Sequence, residues 1–307
     1  MTGAPDTRLA LKVDVDTHDG LARGVPALAA LFSAHGVRAT FFVVCGPDRM
    51  GRRLARLLDP QFVRKLARTR VVKTYGWRTL LSGSLLPARA VAGAHPDLLR
   101  RLLADGHEIG VHGHDHARWQ DRLPSLSLAQ VRAEVQAASG IFRSIVGRAP
   151  EGFAAPGWRC TSASLRVVDD AGFAFRSDTR GRSPYRPLVD GRALRAPELP
   201  TTWPTLDETI GIVSSSASAL ADYYVGRLEP GALNVHTIHA EVEGGPHLDV
   251  LDALLGRVTA CARIVRLGDE AGALDPNVLP TCSVREASIP GRAMPVALQG
   301  EPIDRAR

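Results

Sequence analysis

Apolar residues fall along the chain in short unbroken runs that alternate with stretches of helical period. Leu9–Val15 (LALKVDV), Ala39–Val44 (ATFFVV) and Glu108–Gly113 (EIGVHG) read as strands, and so do GFAAPG from Gly152, FAFRSD from Phe173 and ALNVHTIHA from Ala232. Between them lie helix-period segments. Gly24–Gly36 has Pro26 in its first turn and Gly36 as its stop, His95–Gly106 closes on Gly106, and Ser127–Gly147 starts at a plausible N-cap serine. Strand–helix alternation of this kind predicts parallel strands in an α/β architecture. The 307 residues suit one α/β barrel, and no internal repeat is visible. The pattern fades near Pro280, where proline and charge accumulate. It predicts one domain over 1–280 and a poorly ordered tail over 281–307.

Composition narrows the class. Hydrophobic residues make up 45%, enough for a full core, and the net charge of +6 favours anionic partners. Aromatics are only 5% and do not interleave with basic residues, so no nucleic-acid platform is expected. Cys45, Cys160, Cys261 and Cys282 form no C-x-x-C pair, which excludes zinc-ribbon and thioredoxin readings. No signal peptide and no run of 18 apolar residues is seen, so the expected location is cytoplasmic.

Parallel α/β folds gather their chemistry at the carboxyl ends of strands. Asp14 and Asp16 stand there, as do His112 and His116, the APGWR stretch, Asp178, and the pair His236 and His239. Four of the ten histidines (His107, His112, His114, His116) fall in one short stretch. His112 and His116 are spaced as two imidazoles on one helical turn, which suits a metal pair but also suits a solvated surface. An aspartate would complete a His-His-Asp set for Zn, Fe, Mn, Co or Ni, and the other aspartate could act as general base; alternatively one of the two caps a turn. His114 is expected to face away and His107 to be structural.

VDVD, HGHDH, AAPGW and TIHAEVEG occur in the order seen in the NodB-type polysaccharide deacetylases, carbohydrate esterase family four, and the chain resembles that family. Within it, GPDRMGR, GVHGHDHARWQ, SDTRG and LPTTWPTLDE look most like the formamido-arabinose-phosphoundecaprenol deformylases of lipid A modification. The resemblance spans roughly Asp14 to Gly245 and implies a distorted (β/α) barrel of about seven strands. It also implies one divalent metal on Asp16, His112 and His116, with Asp14 as general base. His239 would be the general acid, with His236 as its rival. Many family members carry an orienting arginine where this chain has Ala154, and Arg159 is the expected substitute. Trp158 and Asp178 are expected to orient groups or contact substrate. The implied reaction removes a formyl group from an undecaprenyl-phosphate-linked aminoarabinose, in lipopolysaccharide modification and polymyxin resistance. The alternatives are a related amino-sugar or peptidoglycan deacetylase and a non-catalytic binder of lipid-linked sugar.

Arg49–Arg70 holds eight basic residues and one acid, beside an apolar stripe that includes Met50 and Leu54. It reads either as a membrane-facing segment or as a solvated barrel helix. With Trp77, residues Arg52, Arg53 and Arg56 are the expected contacts to an anionic cytoplasmic leaflet.

Overall fold

The computed structural model describes residues 7–52 and 77–303. Its first half runs β1 (Arg8–Val15), α1 (Val25–Ala34), β2 (Thr40–Val43), α2 (Pro96–Ala104), β3 (Glu108–Val111), α3 (His116–Arg122), α4 (Leu128–Val146), β4 (Gly152–Phe153), α5 (Ser162–Asp170) and β5 (Phe175–Arg176). Then follow β6 (Arg186–Val189), β7 (Arg192–Ala193), α6 (Leu206–Thr209), α7 (Ala217–Val225), β8 (Leu233–His239), α8 (Leu248–Val258), β9 (Arg263–Val265), α9 (Leu267–Ala273), β10 (Thr281–Ala287) and β11 (Val296–Pro302).

Seven strands form the barrel-type sheet, ordered β5-β4-β3-β2-β1-β8 with β9 also on β1, and every pairing is parallel. Successive side chains on a strand point to opposite faces. On β1, Leu9, Leu11, Val13 and Val15 pack into the large core under the helices, whereas Ala10 belongs to the smaller inner cluster. Lys12 and Asp14 share that inner parity. On β8, Ile238 packs outward while Leu233 and Val235 pack inward, so His239 has inward parity and His236 does not. Phe42, His112 and Ala154 follow the same rule on the strands between. One alternation thus directs the polar residues of β1, β3 and β8 into a shared interior.

The predicted helices form. Ser127 caps α4 as expected: its Oγ accepts from Gln130 N–H at 3.3 Å, and Gln130 Oε1 accepts from Ser127 N–H at 2.9 Å.

The poorly ordered tail expected over 281–307 is corrected. β10 and β11 pair antiparallel, and β10 runs parallel to β6, giving a four-stranded second sheet in the order β11-β10-β6-β7. Cys282, Val296 and Ala297 are buried in it, which offsets the proline and charge that hid its pattern. Only 304–307 of that tail lie outside the described residues.

Candidate active site

The HGHDH stretch folds as strand end, turn and helix start. His112 leaves β3 on the inner face, and Gly113 turns the chain with φ of +74°, a conformation that costs glycine little. His114 faces away toward Glu134, with Nδ1 3.7 Å from Oε2. Asp115 then caps α3 by accepting from Arg118 N–H at 3.0 Å, and His116 opens that helix. The two metal-candidate histidines therefore do not share a helical turn, as their spacing suggested. A strand end and a helix start, set at an angle by Gly113, bring their rings to 5.4 Å between centroids. His107 is structural: its Nδ1 accepts from Ala39 N–H at 3.1 Å, and its ring packs on Phe32 and Phe41.

Asp16 completes the cluster. Its Oδ1 lies 3.3 Å from His112 Nε2 and its Oδ2 3.4 Å from His116 Nε2. One ligand atom from each of the three buried residues lies within 4.8 Å of the others. His112 Nδ1–H donates to the Ala154 carbonyl at 2.9 Å, which fixes the tautomer and leaves the Nε2 lone pair facing Asp16. Burial would raise the Asp16 carboxyl, but His116 and then His112 hold it far below the ordinary carboxylate range. Two imidazoles and an ionised carboxylate, with one tautomer already set from behind, fit a divalent cation of the Zn type.

Asp14 is next along the inner face. Its Oδ2 receives Lys12 Nζ at 3.0 Å and lies 3.8 Å from His112 Nε2. Its Oδ1 is buried and accepts no hydrogen bond among the described residues. His239 stands opposite Asp14 in the β1–β8 register, its ring edge-on to Trp158 at 6.3 Å. The rival His236 points outward and packs between Trp203 and Tyr224, at 5.4 and 4.6 Å. Burial, followed by Arg180, pushes its pKa down to about 3, so near neutrality it is the neutral imidazole rather than the imidazolium that a general acid needs.

The chain matches the family described as polysaccharide deacetylase over residues 5–175. The chain belongs to the polysaccharide deacetylase family. Two curated relatives both bear the name "Probable 4-deoxy-4-formamido-L-arabinose-phosphoundecaprenol deformylase ArnD". The one from Shewanella sediminis (strain HAW-EB3) is 37% identical over 78% of this chain and 77% of its own length. The one from Wigglesworthia glossinidia brevipalpis is 30% identical over 91% and 98%. Among solved structures, a polysaccharide deacetylase assigned in Mycobacterium smegmatis superposes with a TM-score of 0.64 at 17% identity, covering 94% of this chain and 97% of that one. The allantoinase Puue superposes at 0.61 with 18% identity, covering 89% and 93%. At such identities the superpositions establish the fold alone, the barrel-type α/β sheet expected from the alternation.

The cation against Asp14 comes from an unexpected place. Arg159, the expected substitute at the AAPGW loop, instead reaches the C-terminal hairpin, where its Nη1 donates to Glu286 and, at 3.0 Å, to the Pro295 carbonyl. Lys12 takes the position beside Asp14. A charged residue inside the apolar run LALKVDV, two before Asp14 and so on its face, was the available signal. Lys12 is fully buried, with its Nζ 5.1 Å from the Trp158 ring centroid and 5.6 Å from that of Phe42. Removing one partner of a buried pair leaves an uncompensated charge. Lys12→Met should therefore destabilise the metal-free protein by about 3–5 kcal/mol in urea unfolding. A loss below about 1 kcal/mol would mean that Asp14 does not depend on Lys12.

Trp158 is a wall of the site rather than an open contact. It is 1% exposed, donates Nε1–H to Thr201 Oγ1 at 3.1 Å, and carries the Arg292 guanidinium 4.4 Å from its centroid. Its φ of +53° is strained for so bulky a residue, and strain of this kind gathers at functional sites. Asp178 is also buried. Burial pushes its carboxyl up, opposed by Arg176 at 3.7 Å and then by Lys12. Of the expected membrane contacts, Arg52 and Trp77 are exposed, and Arg52 Nε–H donates to the Gly83 carbonyl at 3.2 Å. Arg53 and Arg56 lie outside the described residues.

Proposed function

We propose that this chain hydrolyses the N-formyl group of undecaprenyl-phosphate-linked 4-formamido-4-deoxy-L-arabinose, releasing formate and the free amine. The chemistry rests on one observation: two carboxylates and two imidazoles converge on the inner face of the sheet, opposite His239. The substrate rests on the relatives' name. A divalent ion on Asp16, His112 and His116 would polarise the formyl carbonyl and lower the pKa of water. Asp14, with Oδ2 held by Lys12 and Oδ1 without a partner among the described residues, takes the proton of the attacking water. His239 gives a proton to the departing nitrogen, so the C–N bond breaks to an amine rather than an amide anion. The product amine would serve lipopolysaccharide modification and polymyxin resistance.

A polyprenyl chain stays in the bilayer, so the enzyme must come to it. Among the described residues no helix is long and apolar enough to cross a membrane. Trp77 and Leu85 are 59% and 78% exposed, and they follow the basic stretch in sequence. We assign peripheral attachment at the cytoplasmic face to this segment, with each basic residue near an anionic surface worth about 1 kcal/mol.

One assay tests both parts. Purified enzyme is given formylated and acetylated aminoarabinose lipid in anionic vesicles, and a water-soluble short-chain analogue of each. The formyl lipid should be the better substrate. Reversing charge at Arg52, Arg53 and Arg56 should slow turnover in vesicles at low salt and spare the soluble analogue. Faster acetyl release would make the chain an amino-sugar deacetylase, and equal vesicle rates would place the membrane contact elsewhere.

A further inference from the structure

The carboxyl end of β1 and the loop after β8 are held together by one buried side chain that the reaction scheme leaves without a role. The β1–β8 ladder continues past its last strand residue, with Ala240 N–H donating to the Asp14 carbonyl at 2.9 Å. The next residue is Glu241. Its Oε1 accepts from Asp16 N–H at 3.1 Å, from Thr17 N–H at 2.8 Å and from the Thr17 hydroxyl at 2.7 Å. Thr17 Oγ1 in turn accepts from Gly20 N–H at 3.0 Å, at the start of a π-helical turn (Gly20–Gly24) that leads into α1. Single π turns of this kind recur at functional sites.

The approach of the two loops needs missing side chains. A Cβ at Gly20 would stand 2.0 Å from Glu241 Oε1, and one at Gly24 would stand 2.0 Å from the Ala240 carbonyl oxygen. Gly244 closes the same seam, where a Cβ would lie 2.4 Å from that oxygen and 2.6 Å from the Gly24 carbonyl oxygen. Three glycines thus allow one carboxylate to reach across and collect three donors from the two residues Asp16 and Thr17. Glu243, in the same phrase, does something different: its Oε2 accepts from the backbone N–H of His239 at 2.8 Å.

We infer that Glu241 is a positioning residue for the metal centre, fixing the backbone of Asp16 so that its two carboxylate oxygens meet His112 and His116. The inference rests on Asp16 being a ligand, as in the proposed function. Its logic is that of partners behind the ligands in metal sites, whose loss typically weakens metal binding by about 10–100-fold. Here the partner holds the ligand's main chain instead of its side chain. An acceptor oxygen, rather than a charge, is what the geometry uses.

The test is titration of metal-stripped protein with Zn²⁺ against a chromophoric chelator, with no substrate present. Glu241→Met should weaken zinc by about 10–100-fold. Glu241→Gln, which keeps an acceptor oxygen for the same donors, should recover most of that loss. Glu243→Met should leave zinc affinity unchanged, because its carboxylate holds His239. If Glu241→Met does not fold, Thr17→Val removes one donor at nearly constant volume and should still weaken zinc several-fold. Wild-type affinity in the folded Glu241→Met protein, or in Thr17→Val when Glu241→Met does not fold, overturns the role given to Glu241. An equal loss in Glu243→Met overturns it too, since the effect would then be general loosening. His116→Ala is run alongside: if it keeps its zinc, the ligand assignment itself fails, and the role of Glu241 falls with it.

Discussion

Asp14→Asn protein should retain its metal and lose turnover by about 10²–10⁴-fold, the usual contribution of a positioned general base. The substitution is nearly isosteric and leaves Asp16, His112 and His116 in place. The amide can still accept from Lys12 but cannot take a proton from water. Asp14 Oδ2 lies 3.8 Å from His112 Nε2, farther than either ligand contact to Asp16, so the metal set does not need it. The measurement pairs elemental analysis with kcat on the formylated substrate. His112→Ala is the contrast, because it should lose metal and activity together. Loss of metal from Asp14→Asn would make Asp14 a ligand, and near-normal kcat with metal bound would remove it from the proton path.

His239→Ala should also keep the metal and slow the reaction by about 10²–10⁴-fold, with the greatest loss for substrates whose amine leaves poorly. A good leaving group needs little protonation as the C–N bond breaks, so the defect should shrink across a series of more acidic amines. His236→Ala should behave differently. Its ring fills a space between Trp203 and Tyr224 in the helix layer, and burial keeps it neutral with its pKa down to about 3. Its removal should cost stability, in the range of a few kcal/mol for a buried ring, and spare the dependence on leaving group. The reverse pattern, a mild His239→Ala and a leaving-group-sensitive His236→Ala, would falsify the assignment of the acid.

The residues that could be placed from the chain alone are those governed by local rules. Two-residue alternation on β1 and β8 already separates Asp14 from the helix layer and His239 from His236, since a spacing of three reverses the face of a strand. The Ser127–Gln130 box announces the start of α4. Spacing failed where one residue changed the geometry. His112 and His116 look like neighbours on a helix, yet Gly113 and the Asp115 cap put them on different elements. The second sheet was hidden for another reason. β7 has two residues, β6 has four, and β10 meets β6 by pairing Thr281 with Arg186, so nothing within either segment announces its partner. The reach of Arg159 could not be read from the chain because side-chain reach is a tertiary property. A guanidinium can serve either wall of the loop it sits on, and here the C-terminal hairpin captures it while Lys12, from the centre of β1, serves Asp14.

The strand order also has a consequence during synthesis. β1 is made first but lies between β2 and β8, so one of its edges waits for a partner encoded more than two hundred residues later. A nascent chain that has emerged through His116 holds Asp16, His112 and His116, the proposed metal ligands, while His239 and Glu241 have yet to be translated. At about 5–20 residues per second, that interval lasts roughly ten seconds. An ion taken up then would sit on an Asp16 whose backbone nothing yet braces, and it could exchange freely before β8 docks. Docking of β8 would bring the proposed acid and brace in one event, so a molecule carrying the proposed metal would settle its choice of ion at the moment it became able to turn over.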